Sequence, residues 1–376
     1  MRNPFLRCPT ALLLTAVAVY ASLSPAMAEE APDDVLLFSF FRGNGENGLY
    51  LAWSEDGLNW QEIHKDFVWL SPKIGESVLM RDPCIIMGGD GQFHMVWTPG
   101  WHERGIGHAT STDFIHWSEQ QYIPVMAHEE TARNAWAPEI FYDAATEQYV
   151  LFWATTIPGQ FPETLGQGDG ENNHRMYFTT TKDFVAFSET RLFYDPGFNV
   201  IDSSIIKAGD KYVMFLKNES LTPEEKNIRT ATADSATGPW CAASPKITGE
   251  YWAEGPTAVH WGDQWYVYFD KYRKHTYGAL RTSDLQTWED ISDQIVMPEG
   301  IRHGTAIRVA RSVLTTLQAH TPAPVAAPAP EPAPEPAPVP APVPAPVPAP
   351  VPAPAPAPAP EPAPVAEPAP TPPPAQ

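Results

Sequence analysis

Between residues 35 and 309 the chain repeats itself, and the repeat has to be settled before any motif is read, because like segments fold into like units. One half of the repeat is a small-residue strand, a turn and an aromatic: YLAWSEDGLNW (50–60), IGHATSTDFIHW (106–117), MYFTTTKDFVAF (176–187), IRTATADSATGPW (228–240) and YGALRTSDLQTW (277–288). Their closing aromatics fall 57, 70, 53 and 48 residues apart. The other half is an apolar strand, a Gly/Asp turn and an aromatic-rich strand: DPCIIMGGDGQFHMVW (82–97), APEIFYDAATEQYVLFW (137–153), IDSSIIKAGDKYVMFL (201–216) and EGPTAVHWGDQWYVYF (254–269). Apolar residues alternate at period two around turns such as Gly89-Asp90-Gly91 or Gly262-Asp263, the mark of a hairpin. Four strands in a unit of this size predict a propeller blade, and there are five units. A fifth inner strand, residues 303–309, has no outer strands after it; those it lacks stand at the other end, at 35–41 and 48–53, so one blade is expected to be assembled from both ends. The expected fold class is all-β, a five-bladed β-propeller within residues 29–320, against the alternative of a β-sandwich with coincident turn spacing.

The ends read differently. Residues 1–28 carry Arg2 and Arg7, an apolar run at 11–23 and Ala26-Met27-Ala28, the pattern of a secretory signal, too short and wrongly flanked for a membrane span. The product is expected to be exported to the periplasm or beyond. Residues 321–376 hold 26 of the chain's 43 prolines in Pro-Ala, Pro-Val and Pro-Glu repeats, a composition that buries no core and predicts a disordered, extended tail. The formal charge is -21, and -23 once the two signal arginines leave, a field that repels a phosphate backbone and excludes nucleic acid as the expected partner. Of three cysteines, Cys8 leaves with the signal; Cys84 and Cys241, 157 positions apart, are expected to be buried small hydrophobes and not a disulfide framework.

In a propeller the innermost strands run along the axis, so their starts gather at one mouth. The five starts are Arg81-Asp82-Pro83, Trp136-Ala137-Pro138-Glu139, Ile201-Asp202-Ser203, Ala253-Glu254-Gly255-Pro256 and Arg302-His303-Gly304. Four present a carboxylate, spaced 57, 63 and 52 apart, and the fifth a histidine 49 further on. Alone, an Asp before Pro caps a turn and a lone His satisfies a polar contact; in repeat phase they crowd like charge into one mouth, which is costly and points to function.

In these motifs the chain resembles the five-bladed glycosidases of glycoside hydrolase family 43, which include β-xylosidases, α-L-arabinofuranosidases and arabinanases. The resemblance covers about residues 35–309 and rests on RDPCII (81–86), WAPEI (136–140), IDSSII (201–206) and AEGP (253–256), followed by RHG (302–304). It implies Asp82 as general base, Asp202 as the carboxylate orienting the acid, and Glu254 as general acid. It also implies that His303 lies near an axial calcium ion with its waters; the other reading of His303 is a histidine hydrogen-bonded within the ring. No organic cofactor is expected. The chain departs from the family in ending the WAP motif in Glu139 where Asp is commoner, and in having no accessory β-sandwich after the propeller.

Glycoside cleavage needs one protonated carboxylic acid and one ionised carboxylate, and crowding by Asp82 and Asp202 is the expected means of keeping Glu254 protonated. Arg81 and Arg302 are candidates to grip sugar hydroxyls or to form ion pairs; Trp97, Trp101 and Trp136 are candidates to stack on a sugar or to pack blades; Glu139 is a candidate sugar contact. The expected activity is an inverting, monomeric hydrolase releasing arabinofuranosyl or xylosyl groups from plant-type oligo- or polysaccharides. Alternatives are a carbohydrate-binding propeller without activity, a sialidase suggested by the Asp-box-like turn Ser54-Glu55-Asp56-Gly57, and a related propeller acting on another sugar.

Overall fold

The computed structural model describes residues 34–321. The signal assigned to 1–28 lies outside the described residues, as does all of the Pro-Ala tail except Thr321. The described residues form five antiparallel sheets, each one blade. Blade 1 runs outward through Arg81–Met87, Phe93–Thr98, Ile106–Ser111 and Gln121–Ile123; blade 2 through Trp136–Asp143, Gln148–Thr155, Arg175–Thr181 and Arg191–Tyr194. Blade 3 comprises Val200–Ala208, Lys211–Asn218 and Asn227–Ala233; blade 4 comprises Glu254–Trp261, Gln264–Lys271, Thr276–Thr282 and Glu289–Asp290. Blade 5 is the composite one: Arg302–Ala310 is innermost and pairs with Asp34–Phe41, which pairs onward with Tyr50–Ser54 and Gln61–Glu62. The fold is therefore the expected five-bladed propeller, closed by joining the two ends of the domain in one sheet. Gly304 is required at that join, since a Cβ there would lie 1.7 Å from the Ser39 carbonyl oxygen.

Strand alternation distributes the core over five seams between successive blades. Leu36, Phe38 and Phe40 enter the seam with blade 4, while Val35 and Leu37 enter the seam with blade 1. On blade 1, Met95 and Trp97 face blade 5 and Val96 faces blade 2. Four outer turns share one device: the hydroxyl of Ser54, Ser111, Thr181 or Thr282 accepts the N–H three residues on, and the Asp two residues on accepts two further N–H groups. The turn at Asp56 is one of these four, so its resemblance to an Asp box marks blade construction and not sialidase chemistry.

Two features differ from expectation. Blade 3 has three strands: the segment after Pro239 is tied to Asn227–Ala233 by the N–H groups of Cys241, Ser244 and Ile247 and by the Ser244 hydroxyl and Cys241 thiol, which accept the N–H groups of Thr230 and Thr232, because Pro239 and Pro245 cannot donate to a regular ladder. Cys241, at that irregular edge, is exposed and not buried; Cys84 is buried as expected. In addition, Arg311–Ala319 is an α-helix that seats Leu314 and Leu317 in the seam between blades 5 and 1.

Candidate active site

Each innermost strand breaks its ladder at its start. Register shifts fall between Arg81 and Cys84, Trp136 and Glu139, Ile201 and Ser204, and Glu254 and Thr257. The residues carrying these bulges, Asp82, Ala137, Asp202 and Gly255, all have positive φ, between 45° and 57°. Aspartate tolerates that region, and Gly255 is needed in it: a Cβ would also meet the His303 ring at 2.4 Å.

These bulges show that the four carboxylates do not share one phase. Asp82, Asp202 and His303 occupy equivalent positions; Glu254 stands one residue earlier, toward the mouth, and Glu139 two residues later, down the channel. A cavity of about 280 Å³ at the mouth is lined by Asp82, Asp202, Glu254, Arg81, Arg302, His303, Trp101 and Trp136, among others. Glu139 is not among its lining residues. It is buried, its carboxyl accepts from the Cys84 thiol at 3.0 Å, and burial lifts it to about 7, with further upward push from Asp202 and Asp82. The expected sugar contact at Glu139 is thus corrected, because its phase carries it below the cavity. Trp97 is corrected likewise: it is fully buried in the seam between blades 5 and 1. Trp101, 40% exposed, and Trp136 stand edge to face at the rim and also wall an adjoining cavity of about 510 Å³.

The electrostatics separate the axial groups. Burial would raise Asp82, but the ion pair from His303 Nδ1 at 3.4 Å, the Arg81 charge and a 2.9 Å hydrogen bond from Thr98 outweigh it and hold the carboxyl at about 2. Asp202 is pushed up to about 6 by burial and the charges of Glu254 and Asp82, against His303 and Lys217; it accepts a 3.2 Å hydrogen bond from the Gly255 N–H. His303, although buried, is raised to about 9 by Asp82, Asp202 and Glu139. His303 turns Nδ1 to Asp82 Oδ1 at 3.4 Å; a calcium ion held mostly by water, as the resemblance implies, would need no direct bond from that nitrogen.

Sequence reasoning missed the residues that brace this ring. Opposite each start in the ladder stands one residue of the second strand: Arg81 pairs with Thr98, Ile201 with Lys217, Glu254 with Asp270 and Arg302 with Phe41. Thr98 holds Asp82; Asp270 holds Arg302 at 2.8 Å; Lys217 Nζ reaches Glu254 Oε2 at 3.0 Å. Asp270 is itself lifted to about 6 by burial and the Glu254 charge, against Arg302. Glu254 thus sits between two cations, Lys217 and Arg302, the latter at 3.4 Å, and not only among carboxylates as expected. Lys217 is the signal that was available, a lysine inside the otherwise apolar end of Lys211–Asn218. Arg81 hydrogen-bonds Asn44 and stacks 4.3 Å over Trp101, fixing that ring at the rim.

A five-bladed propeller with an acid-lined axial pocket, one carboxyl held ionised and others lifted toward neutrality, has the build of the propeller glycosidases. Residues 33–314 match the family described as a probable glycosyl hydrolase domain, related to glycosyl hydrolase family 43, and the chain belongs to that family. It is also similar to an α-L-arabinofuranosidase of Bifidobacterium longum, 24% identical over 160 residues, covering 37% of this chain and 15% of that protein, so the chain spans a small part of that relative's length. Similar solved structures include an α-L-arabinofuranosidase of Lactobacillus brevis (18% identity, TM-score 0.42, 56% of this chain and 72% of that one). Another is an exo-β-1,3-galactanase of Clostridium thermocellum (13% identity, TM-score 0.45, 58% and 50%).

Proposed function

We propose that the chain is an inverting glycoside hydrolase that releases an α-L-arabinofuranosyl or β-D-xylosyl group from plant-type oligo- or polysaccharides, working as an exported monomer. The observation that carries this reading is that Asp82 and Glu254 line one pocket from blades 1 and 4, which are not neighbours in the ring: the innermost strand of blade 5 packs between them. Carboxyls that face each other across a pocket leave room for a water between base and anomeric carbon. In the single displacement, Asp82 takes a proton from that water as its oxygen bonds to the anomeric carbon. Glu254 gives its proton to the glycosidic oxygen as the bond to the leaving group breaks. Asp202, bonded to the N–H beside Glu254, orients the acid. The arabinofuranosidase likeness supports a pentose, and the edge-to-face Trp101 and Trp136 supply an apolar wall for a sugar face. Proton NMR of the first-formed sugar tests the reading: the anomer opposite to the substrate's is expected, and retention of configuration or transglycosylation to methanol overturns it.

A further inference from the structure

Resting on that reading, one feature of the pocket wall goes beyond it. Below Glu254 runs a row of alternating charges: Glu254, Lys217, Glu219, Lys226 and Asp169. Lys217 Nζ lies 3.0 Å from Glu254 Oε2 and 2.6 Å from Glu219 Oε2; Lys226 Nζ lies 2.6 Å from both Glu219 Oε1 and Asp169 Oδ2. Both ammonium groups are buried, with 3% and 0% of their side chains exposed. Asp169 comes from the loop between the second and third strands of blade 2, and Glu219 and Lys226 from the loop after Lys211–Asn218, so the row ties the pocket wall to two blades.

We propose that Lys217 is a positioning residue for the acid: its ammonium aims the Glu254 carboxyl and stabilises the carboxylate left after proton donation, which sets the upper pH limit of turnover. A buried charge has lost its water, and one held between two acids persists only because both acids hold it. When Glu254 gives up its proton, the new negative charge forms 3.0 Å from a cation already in place, with no reorganisation of the site. Other charged groups face Glu254 as well. Arg302 is engaged by Asp270, and Asp82 and Asp202 oppose the cations, with His303 paired to Asp82. Facing Lys217 are Glu219, Asp202 and the Tyr272 ring, 4.7 Å away.

The test is the pH profile of kcat/KM on a nitrophenyl glycoside for the wild type, Lys217→Met, Lys217→Arg and Glu219→Gln, with thermal melts for each. Removing a cation this close moves the basic limb of Lys217→Met upward by about one pH unit or more. Lys217→Arg keeps the charge and holds the limb near the wild-type position. Glu219→Gln removes the acid that shares Lys217 and moves the limb downward, a readout that stands even where Lys217→Met does not fold. A basic limb unmoved in folded Lys217→Met, or unmoved in Glu219→Gln, overturns the inference. A Glu254→Gln variant with wild-type turnover, or a wild type inert on every glycoside, sinks the function on which it rests; a dead Glu254→Gln beside unmoved limbs sinks this inference alone.

Discussion

His303 and Asp82, from adjoining blades, form a buried ion pair with Nδ1 3.4 Å from Oδ1, and this pair holds the candidate base ionised at the floor of the pocket. The pair also stores a dependence of stability on pH. Groups whose folded pKa is raised hold their proton more tightly when folded, so stability falls as pH rises across each window. For Asp202 and Glu139 that window runs from their ordinary values of 3.8 and 4.5 to about 6 and about 7; for His303 it runs from 6.5 to about 9. Below about pH 6.5 the buried His108 and His174, held by burial at about 3 and about 4, act in the opposite sense, so the melting temperature is expected to fall clearly from about pH 7 to 9. In His303→Gln the fall above about pH 7 should flatten; a wild-type melting temperature constant over this range would count against the buried cluster.

Asp82→Asn and Glu254→Gln should each lower kcat by about 10² to 10⁴ while leaving circular dichroism unchanged. The two losses are expected to differ with leaving group. An acidic phenol leaves without a proton, so it should rescue Glu254→Gln and not Asp82→Asn; equal rescue of both would contradict the assigned roles.

Trp97 and Trp101 should separate packing from binding. Trp97 fills a seam completely, and its removal is expected to cost about 3 to 5 kcal/mol in urea unfolding. Trp101 is 40% exposed at the rim, so Trp101→Ala should leave the melting temperature within a degree or two while raising KM several-fold. A Trp101→Ala variant with unchanged KM on oligosaccharides would remove Trp101 from the binding surface.

The blade architecture was readable because its signals are periodic: alternating hydrophobics, Gly/Asp turns and a closing aromatic recur in phase, and the unmatched strand at 303–309 foretold the composite blade, observed as Arg302–Ala310. The carboxylates were readable as a set and not in their depth. A bulge shifts side chains relative to the axis by a residue or two, and nothing in WAPE says that Glu139 falls below the floor while Glu254 rises to the mouth. Of the two readings open for Trp97, blade packing holds, because alternation along its strand turns it into the seam with blade 5. Asp270 and Thr98 were invisible as site residues, and Lys217 was marked only by its charge at an apolar strand end, since cross-strand pairing, not proximity in sequence, sets them beside the ring.

Two further predictions concern how the ring is built. In the turn after Ile106–Ser111, Asp113 accepts the N–H groups of Ile115 and His116 at 2.9 and 2.8 Å, and Asp113→Ala leaves both without that partner. Its expected cost is about 1 to 3 kcal/mol in urea, with kcat unchanged because the turn stands on the outside of its blade. A change in kcat without a change in stability would be the contrary result.

Ring closure gives the last. Asp34–Phe41 lies between Arg302–Ala310 and Tyr50–Ser54, hydrogen-bonded on both sides, and all its residues after Asp34 are buried. Its side chains enter two seams, with blade 4 and with blade 1, so it is the strand through which the first and last parts of the repeat hold each other. Deleting residues up to 41 would strip one edge of the innermost strand that carries Arg302 and His303, and with it the partner that holds Asp82. The shortened protein is expected to lose its cooperative melt and all turnover. Deleting the residues after 321, whose Pro-Ala composition buries no core, should change neither. The two truncations, compared by calorimetry and by hydrolysis of the same glycoside, distinguish a ring held by its N-terminal strand from one whose remaining seams suffice; a cooperative melt in the N-terminally shortened protein would show the latter.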